Sequence, residues 1–413
     1  MSTSDRVTSP PHTTAAVRSS TPWVMLAMAT IGFAVNFWAW ALISPLGPLF
    51  RTTGRLGELS ELDVSMLVAV PVVVGSLGRI VVGSMTDRYG GRLMFPVVSA
   101  LTILPVLFIG FFALDSYALL LVSGFFLGIG GTVFAVGVPF VNAWFQPSQR
   151  GLAIGIFGAG MGGTAISALT TVSLFERGSA LPFVITAALL AVYTVAAWLI
   201  MRDAPGRVAP TTSMMQRLRA NITLPVTWQA GILYSVAFGG YVAFSVYLPA
   251  YLITEHGLEA ADASMRMAGF VVIAVIMRPV GGAMADKIGS IPVLGVVFAV
   301  TAVCAAIAAG NPPLQAGGTV AFLAMAAALG AGSGAVFALI AQVTDPSRVG
   351  GVTGIVGAAG GLGGFIPPLV MGFVYGRFES YAIGLWLLAI TAALTLALTF
   401  GPVRRLAVEA GAR

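Results

Sequence analysis

The chain has 413 residues, of which 58% are hydrophobic and only 9% charged, with a formal net charge of +6. A soluble domain carries about 25% charged residues, so these figures exclude a water-soluble globule, a disordered chain and a disulfide-stapled secreted domain. They leave a polytopic membrane protein.

In chain order, residues 1–21 are rich in Ser, Thr and Pro and read as a disordered cytoplasmic tail. They are not a signal peptide, because no short apolar core with a cleavage site precedes the first full-length run. A helix needs about 20 apolar residues to cross a bilayer. Runs of that length predict twelve spans, at 22–45, 64–85, 93–113, 117–145, 151–175, 179–201, 226–253, 264–285, 291–310, 318–342, 350–375 and 380–402. The runs are unbroken, unlike the short alternating segments of a membrane barrel. The expected fold class is an all-α membrane protein with two six-helix bundles, at 22–201 and 226–402. A polar cytoplasmic linker at 202–225 joins them, and a cytoplasmic tail of about ten residues at 403–413 follows.

Basic residues set the orientation. With both termini in the cytoplasm, fourteen Lys and Arg fall in cytoplasmic segments, Arg6, Arg18 and Arg413 among them, and five in outer loops. The positive charge therefore reflects topology rather than a nucleic-acid partner. Cys304, His12 and His256 provide no metal cluster, and no cofactor is expected.

Two basic residues remain, Arg79 in the second span and Arg278 in the eighth. Each lies eight residues before an acid, Asp87 or Asp286, and so about 12 Å inside the span. An arginine at that depth costs about 2.5–3.5 kcal/mol on insertion scales. Snorkelling does not reach so far comfortably, and none of the fifteen acids falls at mid-depth to pair with either.

Their surroundings repeat. A shift of 199 residues carries Arg79, Gly83, Asp87 and Gly90 onto Arg278, Gly282, Asp286 and Gly289. It carries Pro147-Ser148 onto Pro346-Ser347, and Gly151, Gly155, Gly158 and Gly162 onto Gly350, Gly354, Gly357 and Gly361. This is an internal duplication. Parallel six-helix repeats are the plan of one large transporter class, with the substrate at the repeat interface. The four glycines share one helix face, where a neighbouring backbone can approach closely.

Pseudo-symmetry aims both guanidinium groups at the centre. Two such charges about 10 Å apart repel by roughly 1.5–2 kcal/mol at an effective dielectric of 20. A small anion between them removes that repulsion, and guanidinium forks match planar oxyanions. Proton-coupled transporters commonly use membrane acids or histidines, and none is present. Anion exchange is therefore expected, because an empty, doubly positive site reorients poorly.

The run Gly83-Ser-Met-Thr-Asp87-Arg88-Tyr-Gly90-Gly91-Arg92 resembles the loop motif of the major facilitator superfamily. The resemblance implies the major facilitator fold, and a cytoplasmic gate formed by Gly83, Asp87, Arg88, Gly282 and Asp286. Gly155-Ile-Phe-Gly158-Ala-Gly160-Met161-Gly162-Gly163 and Gly354-Ile-Val-Gly357-Ala-Ala-Gly360-Gly361 are similar to signatures of its nitrate/nitrite porter branch. That likeness implies that Arg79 and Arg278 are the anion ligands, and that Gly158, Gly160, Met161, Gly357 and Gly360 line the site. It makes Phe134 and Phe238 aromatics that sandwich a planar anion, and Tyr234 a hydrogen-bond donor. Met161 and Ser333 stand where the branch often has Asn. Loss of an amide donor points towards nitrite or another small anion.

The expected function is secondary transport of nitrate and nitrite by alternating access, as an exchanger. The expected partners are the anion and the lipid bilayer, with no nucleic acid, and the chain acts as a monomer. The alternatives are proton symport of nitrate or another small monovalent anion, and a transport-deficient sensor. The sensor is disfavoured by the short cytoplasmic tail, and an enzyme by the lack of a nucleophile, metal or nucleotide constellation.

Overall fold

A computed structural model describes residues 21–146, 149–207, 211–345 and 348–411. The tail with Arg6, His12 and Arg18, the repeated pairs Pro147-Ser148 and Pro346-Ser347, and Arg413 lie outside the described residues.

The expected helical membrane fold is observed. Among the described residues eleven helices are long and apolar enough to cross a membrane. A twelfth, Pro225–His256, qualifies as a span bent by 57° between its two parts. The first half comprises α1 (Thr21–Trp40), α2 (Leu46–Thr53), α3 (Glu61–Tyr89), α4 (Gly91–Phe108), α5 (Tyr117–Leu127), α6 (Val133–Trp144), α7 (Arg150–Gly158), α8 (Gly163–Arg177) and α9 (Leu181–Ile200). After α10 (Met214–Ile222), the second half comprises α11 (Pro225–His256), α12 (Ala260–Ile288), α13 (Ser290–Ala309), α14 (Thr319–Val343), α15 (Val349–Phe378) and α16 (Ala382–Leu398), with α17 (Arg404–Glu409) at its end.

Several spans depart from the uniform helices expected. The first run was expected to continue to residue 45, but α1 stops at Trp40 and the chain turns before α2. Pro45, with no N–H to donate, favours the break. The fourth and fifth spans are each interrupted by a tighter 3₁₀ stretch, Gly128–Thr132 and Ala159–Gly162. Glycine lacks the side-chain contacts that would hold a regular turn. The second span begins early because Ser60 and Asp63 cap it reciprocally. The Ser60 hydroxyl holds the Asp63 carboxyl below the usual carboxylate range. The linker contains α10, capped in the same way by Ser213 and Gln216.

The duplication is visible in the turns. Gly90 and Gly289, with φ of 87° and 93°, form single-residue corners between α3 and α4 and between α12 and α13. Only glycine adopts that conformation readily.

The halves meet where α3 packs on α15 and α12 packs on α7. The glycine faces line these contacts. A Cβ at Gly151 would meet the Asp286 carboxylate, at Gly155 the Pro279 backbone, at Gly158 the Arg278 side chain, and at Gly162 Val275. On the other side, Gly350 faces Asp87, Gly357 faces Phe134 and Arg79, and Gly361 faces Ser76 and Arg79.

Candidate functional site

Arg79 on α3 and Arg278 on α12 are among the most buried large side chains, with 2% and 0% exposure. Phe134 on α6 lies beside both. The two guanidinium carbons are 5.3 and 5.4 Å from its ring centre. They are 5.6 and 5.7 Å from the centre of Phe238 on α11. The cations therefore share two aromatic faces, whose quadrupoles attract them.

The rings form parallel walls. Tyr234 and Phe238, one turn apart on α11, stack with centroids 5.0 Å apart and planes 7° apart. Phe134 faces them from the other half at 6.1 and 6.4 Å, tilted by 15° and 19°. Phe337 on α14 closes the edge, 5.3 Å from Phe134 and 4.7 Å from Tyr234.

Each arginine reaches across to the glycine-rich helix of the opposite half. Arg79 donates from Nη1 to the Gly357 carbonyl at 2.6 Å and from Nε to the Gly131 carbonyl at 3.2 Å. Gly131 lies in the 3₁₀ stretch of the fourth span. Arg278 donates from Nη1 to the Met161 sulfur at 2.9 Å and from Nη2 to the Tyr234 hydroxyl at 3.1 Å. Its Nε is buried with no hydrogen-bond partner among the described residues. A guanidinium carries five donors, so each cation keeps N–H groups free of these bonds. Among the described residues no carboxylate pairs with either arginine.

Around these cations the fold gathers Phe134, Tyr234, Phe238, Gly158, Met161, Gly357 and Gly360, whose Cβ would meet the Tyr234 ring. Gly160 is turned away: it packs against Phe33 and Thr30 of α1. Two further aromatics, Phe33 and Phe157, back Phe134 at 5.6 and 5.9 Å.

Contacts between the halves flank the arginines on both sides. Towards one membrane face, Asp286 accepts from the Leu152 backbone N–H at 3.2 Å at the start of α7. Asp87 pairs with Arg217 of α10 at 2.8 Å and lies against Gly350. Gly282 presses against the Gly151 backbone, whereas Gly83 makes only ordinary contact with Ala135 within its own half. Arg88 is exposed and lies over the Tyr89 ring, away from these contacts. Towards the other face, Thr164 of α8 and Tyr241 of α11 share a hydrogen bond of 3.1 Å. Tyr241 is legible in retrospect as the third ring on the Tyr234–Phe238 face. Thr164, Phe33, Phe157 and Phe337 carry no such signal.

The family profile described as Major Facilitator Superfamily matches residues 29–321 and 230–411. The chain is 46% identical over 371 residues to a protein of Mycobacterium tuberculosis named probable nitrate/nitrite transporter NarK2, covering 89% of this chain and 93% of that one. It is 35% identical to the nitrite extrusion protein of Bacillus subtilis, covering 87% and 89%. Its fold superposes on the proton:xylose symporter XylE with a TM-score of 0.76 at 15% identity, covering 93% and 96%.

Proposed function

This chain belongs to the major facilitator superfamily, and from that premise we propose that it carries nitrate and nitrite across the plasma membrane as an exchanger. The observation that carries the proposal is the pair of buried arginines set against the same two aromatic rings, with no carboxylate partner among the described residues. The names of the relatives, a nitrate/nitrite transporter and a nitrite extrusion protein, support the same cargo.

The residues divide the work. Free N–H groups of Arg79 and Arg278 bind the oxygens of the anion, and Tyr234 donates a further hydrogen bond. Phe134 on one side and Phe238 on the other hold the anion flat between them. The Nε of Arg278 is packed against Gly158 without an acceptor among the described residues, so the side chain is incompletely satisfied where it stands. The anion offsets the repulsion of the two cations and lets the halves rock about it. Asp87 and Asp286 close the site from the cytoplasm, and Thr164 with Tyr241 closes it from outside. Both termini and α10 are cytoplasmic, following the excess of basic residues on that side, and the chain works as a monomer of two six-helix bundles.

The test is transport by the purified protein in proteoliposomes. Labelled nitrate enters vesicles loaded with nitrite or nitrate, and hardly enters anion-free vesicles even with an imposed pH gradient. Rapid proton-driven uptake into anion-free vesicles overturns exchange in favour of symport.

A further inference from the structure

Away from the arginines, a groove of about 790 Å³ opens on the perimeter of the second half. One wall is the face of α13 that carries Gly295, Val296 and Ala299. The other is the end of the twelfth span, from Leu396 through Phe400 to Arg404. Val296 is 65% exposed on this perimeter, where a membrane-spanning helix faces lipid.

Two local features shape the groove. Gly295 lets the Phe400 ring lie against the α13 backbone, since a Cβ there would strike it. The chain from Thr399 to Val403 forms a wide π turn that contains Pro402. Such turns are rare and occur frequently at functional sites.

The chemistry is graded along the groove. Its lining is apolar except for Arg404, which stands between Phe400 and the apolar pair Ala407 and Val408, and no acid is among the lining residues. Leu396 and Arg404 are eight residues apart, about 12 Å along a helix. That approaches the depth of one leaflet, half of a hydrocarbon core of about 30 Å. Arg404 and Asp286 stand at span ends on the same membrane face, and the residues that follow them, Arg405 and Lys287, are exposed. None of these three has an ion pair among the described residues.

We propose that this groove is a binding site for an anionic glycerophospholipid, with an acyl chain along α13 and the headgroup phosphate on Arg404. Charge complementarity selects the occupant. A zwitterionic lipid offers the same chains, but its own ammonium offsets the attraction to the basic rim. The site is independent of the transported anion.

Native mass spectrometry of the full-length protein, titrated with phosphatidylglycerol and with phosphatidylcholine of identical chains, tests the proposal. The wild type retains phosphatidylglycerol more tightly. Arg404→Gln lowers that affinity about fivefold, the contribution of one interfacial basic residue, and abolishes the preference. Ala299→Trp fills the groove and weakens both lipids. Should it also lower Tm, Val296→Trp blocks the groove from its exposed edge. Inorganic phosphate, which has no chain, does not compete at millimolar concentration. Equal wild-type affinity for the two lipids overturns the site, as does a preference that survives Arg404→Gln, unchanged binding in the blocked variants, or competition by phosphate. Nitrate exchange by Arg404→Gln in phosphatidylcholine vesicles stays at the wild-type level and serves as the folding control.

Discussion

Arg79 and Arg278 occupy equivalent places in the two repeats, yet they are anchored differently. Arg79 is held by backbone carbonyls, Gly131 from its own half and Gly357 from the other. Arg278 is held by side chains, the Met161 sulfur and the Tyr234 hydroxyl, and its Nε has no partner among the described residues. Carbonyls fixed in helices cannot turn aside, whereas a thioether is a weak acceptor on a flexible chain. In the proposed exchanger Arg79 is the fixed wall of the site, and Arg278 is the arm that leaves Met161 to take the anion.

The largest test of this contrast is Arg79→Lys against Arg278→Lys. Both variants lose at least ~100-fold in exchange rate, about 2.7 kcal/mol, because an ammonium cannot present the planar fork. Near-normal counterflow in either variant removes that arginine from the site.

Next comes a pair of equivalent glycines. A Cβ at Gly155 would meet the backbone of Pro279 and Arg278, whereas at Gly354 the nearest atom is the Arg79 carbonyl at 4.0 Å. Gly155→Ala therefore forces the halves apart, lowers the thermal midpoint by several degrees for about 1–3 kcal/mol of overpacking, and stalls exchange. Gly354→Ala leaves both nearly unchanged. Equal effects at the two positions would mean that the interfaces are interchangeable.

Met161→Leu keeps the bulk and removes the sulfur. It leaves Arg278 Nη1 unpartnered until the anion arrives, so nitrite binding tightens by about two- to fivefold, a fraction of one ordinary hydrogen bond. Calorimetry on the purified variant measures this, and weaker binding would make Met161 a direct ligand instead. The smallest effect belongs to Tyr241→Phe. It deletes the bond to Thr164 at about 1 kcal/mol and raises labelling of a cysteine placed on the outer side of the site. Unchanged labelling would mean that this bond does not hold the halves closed.

Much of this arrangement was legible in the chain. The helical membrane fold followed from run length, and the two arginines stood out because nothing else charged lay at their depth. The glycine spacing anticipated a smooth face, and the faces do meet α12 and α3. The offset also made the two halves look more alike than they are. Gly131 and Gly330 are equivalent in sequence, but only the first lies in a 3₁₀ stretch and presents its carbonyl to an arginine. Gly160 and Arg88 sit within recognisable motifs, yet one faces α1 and the other is exposed. A motif fixes the spacing of residues, whereas the partner helix decides which of them is used.

Hydropathy, charge placement and the 199-residue repeat are properties of the chain in a bilayer. They determined by themselves that this is a duplicated helical membrane protein with two uncompensated cations at depth. Which atoms satisfy those cations was decided only by tertiary structure. The acceptors are a thioether, a phenol and two backbone carbonyls, drawn from helices far apart in sequence. Hydrogen bonds need distances near 3 Å and suitable angles, and no spacing along one helix sets a distance to another.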